Sequence, residues 1–169
     1  MADHLDPQTL RALMRYDPNT GSLRWNRRGH LQGHQCNRDR EAGSISKQTG
    51  YRTVRVDHRL YQAHRVIWAL VHGKWPDDHV DHINGDKLDN RFANLRSVPN
   101  AINRQNTRKA RADSQTGVQG VGLDKRRGLF HARLRTDGRT RHLGYFANSD
   151  EAHAAYVAAK RRHHVGCTI

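Results

Sequence analysis

Cysteine is almost absent from this sequence of 169 residues. Cys36 and Cys167 are its two cysteines, and they do not form the closely spaced pairs that bind structural zinc. Two cysteines also cannot build the framework of a disulfide-rich fold. Their scarcity suits a reducing compartment, and we expect a cytoplasmic protein of a bacterial cell, encoded by the bacterium or by a phage.

Long hydrophobic runs are missing as well. No segment approaches the roughly 18 apolar residues that a membrane helix needs, and the first four residues lack the apolar run of a secretory signal. Hydrophobic residues make up 35% of the chain, which is too little for one large core. We therefore expect no membrane partner and two small domains with thin cores.

Acidic residues are few compared with basic ones. The chain has 30 Lys and Arg against 16 Asp and Glu, for a formal net charge of +14. Residues 111–169 hold 11 basic and 5 acidic side chains, so both parts of the chain are basic. Such a charge attracts polyanions through counterion release and long-range steering. A solvated basic surface and an RNA-binding protein remain the alternatives to DNA binding on charge alone.

The hydrophobic pattern predicts an α+β fold. In the first part of the chain it predicts a helix over 7–16, a strand around Leu23 and Trp25, a hairpin over 51–56 and 59–63, a helix over 64–72, strands over 80–83 and 95–98, and a helix over 100–109. The second part is predicted to contain strands over 120–123, 129–136 and 139–146, followed by a helix over 150–164. Residues 27–42 are predicted to be a basic loop, and His30, His34 and Cys36 within it lack a second ligand pair for a metal.

The small polar segment at 111–117 separates the two parts of the chain. We interpret residues 1–110 as one domain, 111–117 as a linker and 118–169 as a second domain. Asn148 and Glu151 are predicted to cap the last helix, whose alanines lie at the spacing that faces a sheet. The second domain is thus predicted to be a small three-stranded antiparallel sheet packed on one helix.

The stretch Val80-Asp81-His82-Ile83-Asn84-Gly85-Asp86 has the residues that phosphodiester hydrolysis requires. A water must be deprotonated near neutral pH, and histidine is suited to that task. A divalent cation must neutralise charge on the phosphate, and it prefers oxygen ligands such as those of Asp and Asn. Asp81 and His82 are neighbours on a predicted strand, so they project to opposite faces and can flank a phosphate. Asn103, on the next predicted helix, can point back at the same metal, and Asn100 and Asn106 are its competitors for that role.

With Asn94-Leu95 and Asn103, this stretch resembles the HNH nuclease motif of phage and intron-encoded homing endonucleases. The phrase that runs from His64-Arg65 through Trp75-Pro76 to Gly85 is also similar to those proteins. The resemblance implies a ββα-metal (His-Me finger) core at about residues 78–109, preceded by a β-rich extension.

The same resemblance implies a role for each residue of the motif. His82 would be the general base, Asp81 and Asn103 the metal ligands, and Asn94 the residue that holds the base strand in place. The implied cofactor is Mg²⁺, for which Mn²⁺ can substitute. Three nearby arginines are candidate phosphate contacts: Arg91, Arg96 and Arg104. A solvated cation is the competing interpretation for each of them.

The second domain resembles the ethylene-response-factor (Apetala) DNA-binding domain. The matching residues are Gly120-Val121, Phe130 to Arg135, His142 to Phe146, Glu151-Ala152 and Ala154 to Tyr156. The resemblance implies that the sheet enters the major groove, which admits β-ribbons. The candidate DNA contacts are Lys125, Arg126, His131, Arg133, Arg135, Arg141 and His142. The sequence departs from the family at His142, where an aromatic residue is expected, and at Gly122 and Asp124, where basic residues are expected.

Taken together, these features predict a metal-dependent endonuclease that hydrolyses phosphodiester bonds in double-stranded DNA. One base and one metal cut one strand at a time, so we expect a monomeric nickase of phage or mobile-element type. A catalytically silent DNA-binding regulator is the first alternative. An RNA-binding protein is the second, and it is disfavoured because the major groove of A-form RNA is too narrow for side chains to read.

Overall fold

A computed structural model of the chain describes residues 5–26 and 41–169 and divides it into two compact units, Met1–Asn100 and Ala101–Ile169. His30, His34 and Cys36 lie outside the described residues. The helices are α1 (Pro7–Leu13), α2 (Ala63–His72), α3 (Asn100–Gln105) and α4 (Ser149–His163). The strands are β1 (Met14–Asp17), β2 (Ser22–Trp25), β3 (Ser44–Ile45), β4 (Arg52–Val56), β5 (Arg59–Gln62), β6 (His79–His82), β7 (Leu95–Val98), β8 (Val121–Asp124), β9 (Leu129–Thr136) and β10 (Arg139–Phe146).

The first unit is built from small antiparallel sheets. β1 pairs with β2, β6 pairs with β7, and β3, β4 and β5 form a three-stranded sheet in that order. The predicted hairpin at β4 and β5 is confirmed, and its turn residues Asp57 and His58 adopt positive φ angles of 47° and 61°. Two such residues in succession give the turn a twist that matches the flanking strands.

The first helix is shorter than predicted. α1 ends at Leu13, and the prediction of a helix through Tyr16 is wrong because Met14 to Asp17 pair with Ser22 to Trp25 as a hairpin. Asp6 caps the start of α1 by accepting hydrogen bonds from the amides of Gln8 and Thr9.

α2 supplies the centre of the first core. Val66, Ile67 and Ala69 on this helix have exposed fractions of 0%. They pack with buried side chains from α1, β1, β2 and the central sheet, among them Leu10, Leu23, Val54 and Val80. α2 ends at His72, as predicted, and Gly73 follows it in the left-handed conformation at φ 70°. The helix is therefore a fixed support for the strands around it.

The second unit contains a three-stranded antiparallel sheet packed on α4, as predicted. Its strand order is β10, β9, β8, and Ala132 and Leu134 of β9 are buried against Ala152 and Tyr156 of α4. The predicted cap of α4 is confirmed, because the side chain of Asn148 accepts a hydrogen bond from the Glu151 amide at 2.9 Å. None of the helices in the described residues is long and apolar enough to cross a membrane.

The helix predicted over 100–109 ends at Gln105, so the prediction is wrong for the last four residues. The polar groups that follow the helix form hydrogen bonds with residues near the C-terminal end of the chain. The carbonyl of Thr107 accepts from Lys160 Nζ at 2.5 Å, and Asn106 Oδ1 accepts from the hydroxyl of Thr168 at 2.5 Å. Residues 101–110 thus pack with the C-terminal residues in the second unit. The domain and linker boundaries derived from the sequence stay predictions.

Candidate active site

β6 places Asp81 and His82 on opposite faces of a two-stranded sheet. In the antiparallel register with β7, Asp81 lies opposite Arg96 and His82 lies opposite Leu95. His82 shares the core-facing side of β6 with Val80, and its exposed fraction is 3%. The alternation of side chains along a strand produces this division. The His82 ring therefore lies inside the first unit, and the Asp81 carboxylate lies on the other face of the same strand.

A hydrogen bond fixes the protonation pattern of the His82 ring. Nε2 of His82 lies 3.1 Å from Oδ1 of Asn90, whose exposed fraction is 1%. The amide nitrogen of Asn90 donates to the Leu88 carbonyl at 3.3 Å, which orients the amide with its oxygen toward the ring. An amide oxygen can only accept, so Nε2 carries the proton and Nδ1 is left as the basic nitrogen.

Two further rings pack beside His82. His64, at the start of α2, meets the His82 ring nearly edge to face, with centroids 5.0 Å apart. The Tyr51 ring lies 5.9 Å from that of His82 and 5.1 Å from that of His64. Lys87 Nζ lies over the Tyr51 ring at 4.6 Å and donates to the Thr49 carbonyl at 2.7 Å. The His82 ring is therefore packed against two other rings in addition to its contact with Asn90.

Burial keeps both histidines neutral. It lowers the pKa of His82 below the ordinary value of 6.5, although the hydrogen bond to Asn90 acts in the opposite direction. Burial, with His82 and Arg65 nearby, lowers the pKa of His64 to about 3. A neutral His82 is ready to take a proton from water at neutral pH.

Asp81 is held by Arg96. Oδ2 of Asp81 accepts from Nε and Nη2 of Arg96 at 3.1 and 2.9 Å, and both side chains are largely buried. The sequence assigned Asp81 to a metal and Arg96 to a phosphate, and the structure brings the two together as an ion pair. Both bonds use the same carboxylate oxygen, and a carboxylate is a ligand type that suits a hard cation.

Asn94 joins the two ends of the loop that follows β6. Its Oδ1 accepts from the Asn84 amide at 2.9 Å, and its Nδ2 donates to Asn84 Oδ1 at 3.0 Å and to the Asp89 carbonyl at 2.8 Å. Its carbonyl accepts from the Ile83 amide at 2.8 Å. These bonds match the cross-loop role that the motif resemblance implies for this asparagine.

Arg91 is paired within the same loop. Its Nε and Nη2 donate to the two carboxylate oxygens of Asp89 at 2.8 and 2.7 Å. This contact lowers the pKa of Asp89 to about 2, so the pair is charged at neutral pH. Arg91 is exposed, and a phosphate that contacts it would share it with Asp89.

Asn103 and Arg104 lie on α3 in the second unit. Asn103 is half-buried and Arg104 is exposed. The residues at the C-terminal end of the chain contact this helix, and the Gly166 amide donates to Gln105 Oε1 at 2.9 Å. The part of the protein that holds the predicted ligand helix is therefore the second unit.

The outer face of the second sheet carries most of the predicted DNA contacts. His131, Arg133 and Arg135 alternate on β9 with the buried Ala132 and Leu134, and both arginines are exposed. His142 is the cross-strand partner of Arg133 and shares this outer face. Two further candidates lie in the turn between β8 and β9 and are exposed: Lys125 and Arg126.

Arg141 is placed differently from the other predicted contacts. It is the cross-strand partner of Leu134, which is buried against α4, so Arg141 lies on the opposite face from His142. The departure at Gly122 also has a physical reason. A Cβ at Gly122 would lie 2.5 Å from Nε2 of His131, so the histidine ring occupies the space of a side chain.

Tyr145 and Arg127 belong to the same outer face and were not predicted from the sequence. The Tyr145 ring lies 4.8 Å from that of His142 and 6.2 Å from that of His131. The guanidinium of Arg127 lies over Tyr145 at 4.5 Å from the ring centroid. Aromatic residues on a basic face offer stacking and cation–π contacts in addition to charge.

Asn90, His64 and Tyr51 are also site residues that the sequence did not identify. Asn90 lies in a polar loop, where an asparagine is ordinary, and the other two lie well before the motif. The one available signal was that His64 begins the sequence phrase that ends in the Asp81-His82 motif. The contacts of His64 and Tyr51 with His82 arise only when α2 and the central sheet pack against β6.

Comparisons with known proteins identify the central segment. Among the described residues, no group of three or more His, Cys, Asp or Glu side chains is placed to hold a metal ion. No curated protein and no solved structure matches the chain. The family model described as HNH endonuclease matches residues 61–105, which include the end of β5 and all of α2, β6, β7 and α3. Residues 61–105 are therefore an HNH endonuclease domain, which implies a ββα-metal core and a nuclease that hydrolyses DNA.

Proposed function

We propose that this protein is a metal-dependent endonuclease that nicks double-stranded DNA, with His82 as its general base. The observation that carries the proposal is the state of His82 within the matched domain. Its ring is buried and neutral, and Asn90 holds the proton on Nε2. In this proposal Nδ1 is the nitrogen that takes the proton of the attacking water.

Asp81 and Asn103 are the proposed metal ligands. Their oxygen atoms suit Mg²⁺ or Mn²⁺, and HNH nucleases use a divalent metal ion. Such an ion, when bound, neutralises charge on the scissile phosphate and on the leaving oxygen. Arg96 donates a hydrogen bond to one oxygen of Asp81, while Asn94 ties the end of the loop to the backbone beside Asn90.

A single site of this kind cuts one strand in each encounter. One neutral base deprotonates one water, so the product of a monomer is a nicked duplex. Phage or mobile-element origin follows from the motif resemblance alone and is part of the proposal. A double-strand break requires two molecules or two successive encounters with the same DNA.

Plasmid cleavage tests the proposal. Supercoiled DNA is incubated with the purified protein in Mg²⁺, in Mn²⁺ or in chelator, and the products are separated on a gel. Conversion of supercoiled DNA to open circles with a divalent metal, and no conversion in chelator, is the expected result. Linear product that accumulates at the same rate as open circles would contradict nicking. Cleavage that persists in chelator would contradict the metal requirement.

The second unit is proposed to position the enzyme on DNA through the outer face of its sheet. Two cationic side chains on β9, Arg133 and Arg135, are exposed, and the aromatic cluster of His131, His142 and Tyr145 lies on the same face. Exposed arginines at alternate positions match the spacing of contacts along a groove. The sheet is backed by α4, so this face is the one available to a duplex.

A charge-matched comparison tests this assignment. Replacing both Arg133 and Arg135 by Ala removes two positive charges from the sheet, and replacing Arg161 and Arg162 by Ala removes two from the far end of α4. The sheet variant is expected to bind a DNA duplex about tenfold or more weakly and with a shallower salt dependence. The helix variant is expected to retain most of its affinity. Equal losses in both variants would indicate general charge attraction and contradict a defined face.

A catalytically silent DNA-binding regulator is the second candidate. The observation that favours it is the ion pair between Asp81 and Arg96, since a bound cation must share that carboxylate with a guanidinium. The plasmid experiment separates the two candidates. Tight DNA binding without cleavage in any of the metals would support the regulator.

A further inference from the structure

The loop that holds the general base is itself held by the first hairpin of the chain. The hydroxyl of Tyr16, on β1, accepts a hydrogen bond from the Phe92 amide at 2.7 Å and donates to the Asn90 carbonyl at 3.3 Å. The two contacts lie on either side of Arg91. One phenol group thus fixes the backbone of three successive loop residues.

The turn of the same hairpin touches the loop backbone directly. Gly21, between β1 and β2, has a φ of 75°, and a Cβ built on it would lie 2.5 Å from the Arg91 nitrogen and 2.7 Å from the Asn90 carbonyl carbon. Contacts this short leave no room for a side chain. The hairpin and the loop therefore meet backbone to backbone, in addition to the contacts of Tyr16.

Hydrogen bonds within the hairpin turn, and buried side chains on its two strands, hold the hairpin in place. The carboxylate of Asp17 accepts from the Asn19 amide at 3.0 Å and from the Thr20 hydroxyl at 2.8 Å. The Gly21 amide donates to the Asp17 carbonyl at 2.9 Å. Leu23 and Met14 anchor the two strands in the core, with exposed fractions of 1% and 2%.

We propose that the β1–β2 hairpin is a positioning device for catalysis, and that Tyr16 and Gly21 set the place of Asn90 and, through it, the ring of His82. Tyr16 and Gly21 are positioning residues and do not touch DNA. The inference rests on the proposed role of His82 as general base. The physical link is short, because the backbone held by Tyr16 belongs to the residue whose side chain accepts from His82 Nε2.

Two independent substitutions in the hairpin and one matched control test the inference. Tyr16→Phe removes the hydroxyl and keeps the ring. Gly21→Ala adds a methyl group that collides with the loop backbone at Asn90 and Arg91. Gly73→Ala introduces the same backbone strain, at φ 70°, in the same unit, but its nearest neighbour is a flexible Arg11 nitrogen at 3.7 Å. DNA cleavage is followed with protein in excess over plasmid, well below the unfolding temperature of each variant, and DNA affinity is measured separately.

Tyr16→Phe is expected to slow cleavage of bound DNA about tenfold and Gly21→Ala about a hundredfold, because displacements near one ångström cost that much in rate. Both are expected to keep DNA affinity within about twofold of wild type, whereas Gly73→Ala keeps the cleavage rate and loses only stability. Wild-type rates in both hairpin variants would overturn the inference. An equal loss of rate in Gly73→Ala would do so too, since it would reveal a general effect of destabilisation.

A spectroscopic measurement tests the inference without cleavage. Long-range proton–nitrogen correlation spectra of the histidine rings report which nitrogen of His82 carries the proton, and His82→Ala assigns the signal. Wild type is expected to give one sharp set with protonated Nε2, and Tyr16→Phe is expected to broaden or split it. An unchanged His82 signal in Tyr16→Phe would contradict the inference. If wild type itself cleaves no DNA, the proposed function fails, while this measurement still decides the role of the hairpin.

Discussion

A general base must be neutral before it acts, and the surroundings of His82 provide this through burial. The desolvation that lowers its pKa is opposed by the hydrogen bond to Asn90, which is compatible with either protonation state of Nδ1. Asn90 therefore orients the ring without removing its basicity. The rings of His64 and Tyr51 pack beside it and restrict its motion further.

Replacing Asn90 by Ala should separate the effect of His82 orientation on cleavage from the effect of DNA binding. The variant loses the acceptor for Nε2–H, so the ring can adopt the other tautomer or rotate. We expect the cleavage rate of bound DNA to fall about 10- to 100-fold, since side chains that orient a reacting group have effects of this size. Stability should fall by about 1–3 kcal/mol because a buried donor is left unpaired.

Asn19→Ala is the control for this substitution, because Asn19 is an exposed asparagine in the hairpin turn. It should retain the wild-type rate. Cleavage kinetics and urea unfolding, measured on wild type, Asn90→Ala and Asn19→Ala, test this prediction. A wild-type rate in Asn90→Ala would show that the ring needs no acceptor at Nε2.

Sequence reasoning found the motif residues and missed their supports for a physical reason. Asp81, His82 and Asn94 could be identified because their types and spacing reflect the chemistry itself. Asn90 and Tyr16 could not, because their contact joins residues 74 positions apart and exists only after the hairpin folds onto the loop. Tyr16 follows a short apolar stretch in the sequence, and none of its neighbouring residues indicates a contact with Asn90.

At the level of elements, the strands and turns were predicted better than the helix ends. The β4–β5 hairpin, β7, β9 and β10 have the bounds that alternation and turn residues indicate. Met14 to Tyr16 continue the spacing of α1, but pairing with β2 overrides that weak local preference. After Gln105 the chain tightens, because the amides of Asn106 and Thr107 bond to carbonyls three residues back rather than four. The Thr107 carbonyl beyond this turn accepts from Lys160 and from Gln119, whose side-chain nitrogen donates to it at 2.8 Å.

Gly166→Ala should loosen the helix that carries Asn103. A Cβ at Gly166 would collide with the carbonyl oxygen of Ile102 and lie 3.1 Å from Cβ of Gln105. The C-terminal segment must then move away from α3, which also strains the bond from the Gly166 amide to Gln105. We expect a loss of about 1–3 kcal/mol in the free energy of unfolding, measured by urea denaturation.

Val165→Ala is the matched control for this element, because Val165 is adjacent in sequence and 88% exposed. It should change stability by less than about 0.5 kcal/mol. Equal stability of Gly166→Ala and wild type would show that the C-terminal segment does not hold α3 tightly.

The whole molecule should lose stability in mild acid because of its buried histidines. The pKa of His64 is about 3 in the folded protein and 6.5 ordinarily, so below pH 6.5 only the unfolded chain takes up this proton. Stability is then constant above that pH and falls as the pH drops from about 6.5 toward 3, by up to about 1.4 kcal/mol per pH unit from His64. His82 acts in the same direction.

Urea unfolding at several pH values between about 7.5 and 5 measures this slope. His64→Leu fills the buried site with an apolar side chain and should reduce the slope. His72→Leu, an exposed histidine on the same helix, should leave it unchanged. The same slope in His64→Leu as in wild type would show that His64 does not stay neutral in the folded protein.

The measurement that tests the central claim most directly is cleavage of supercoiled plasmid by His82→Ala, alongside His79→Ala, which alters an exposed histidine on the same strand. The proposed function requires that His82→Ala lose cleavage by about a thousandfold or more and still bind DNA like wild type, while His79→Ala cleaves normally. Near-normal cleavage by pure, folded His82→Ala would contradict the assignment of His82 as the general base.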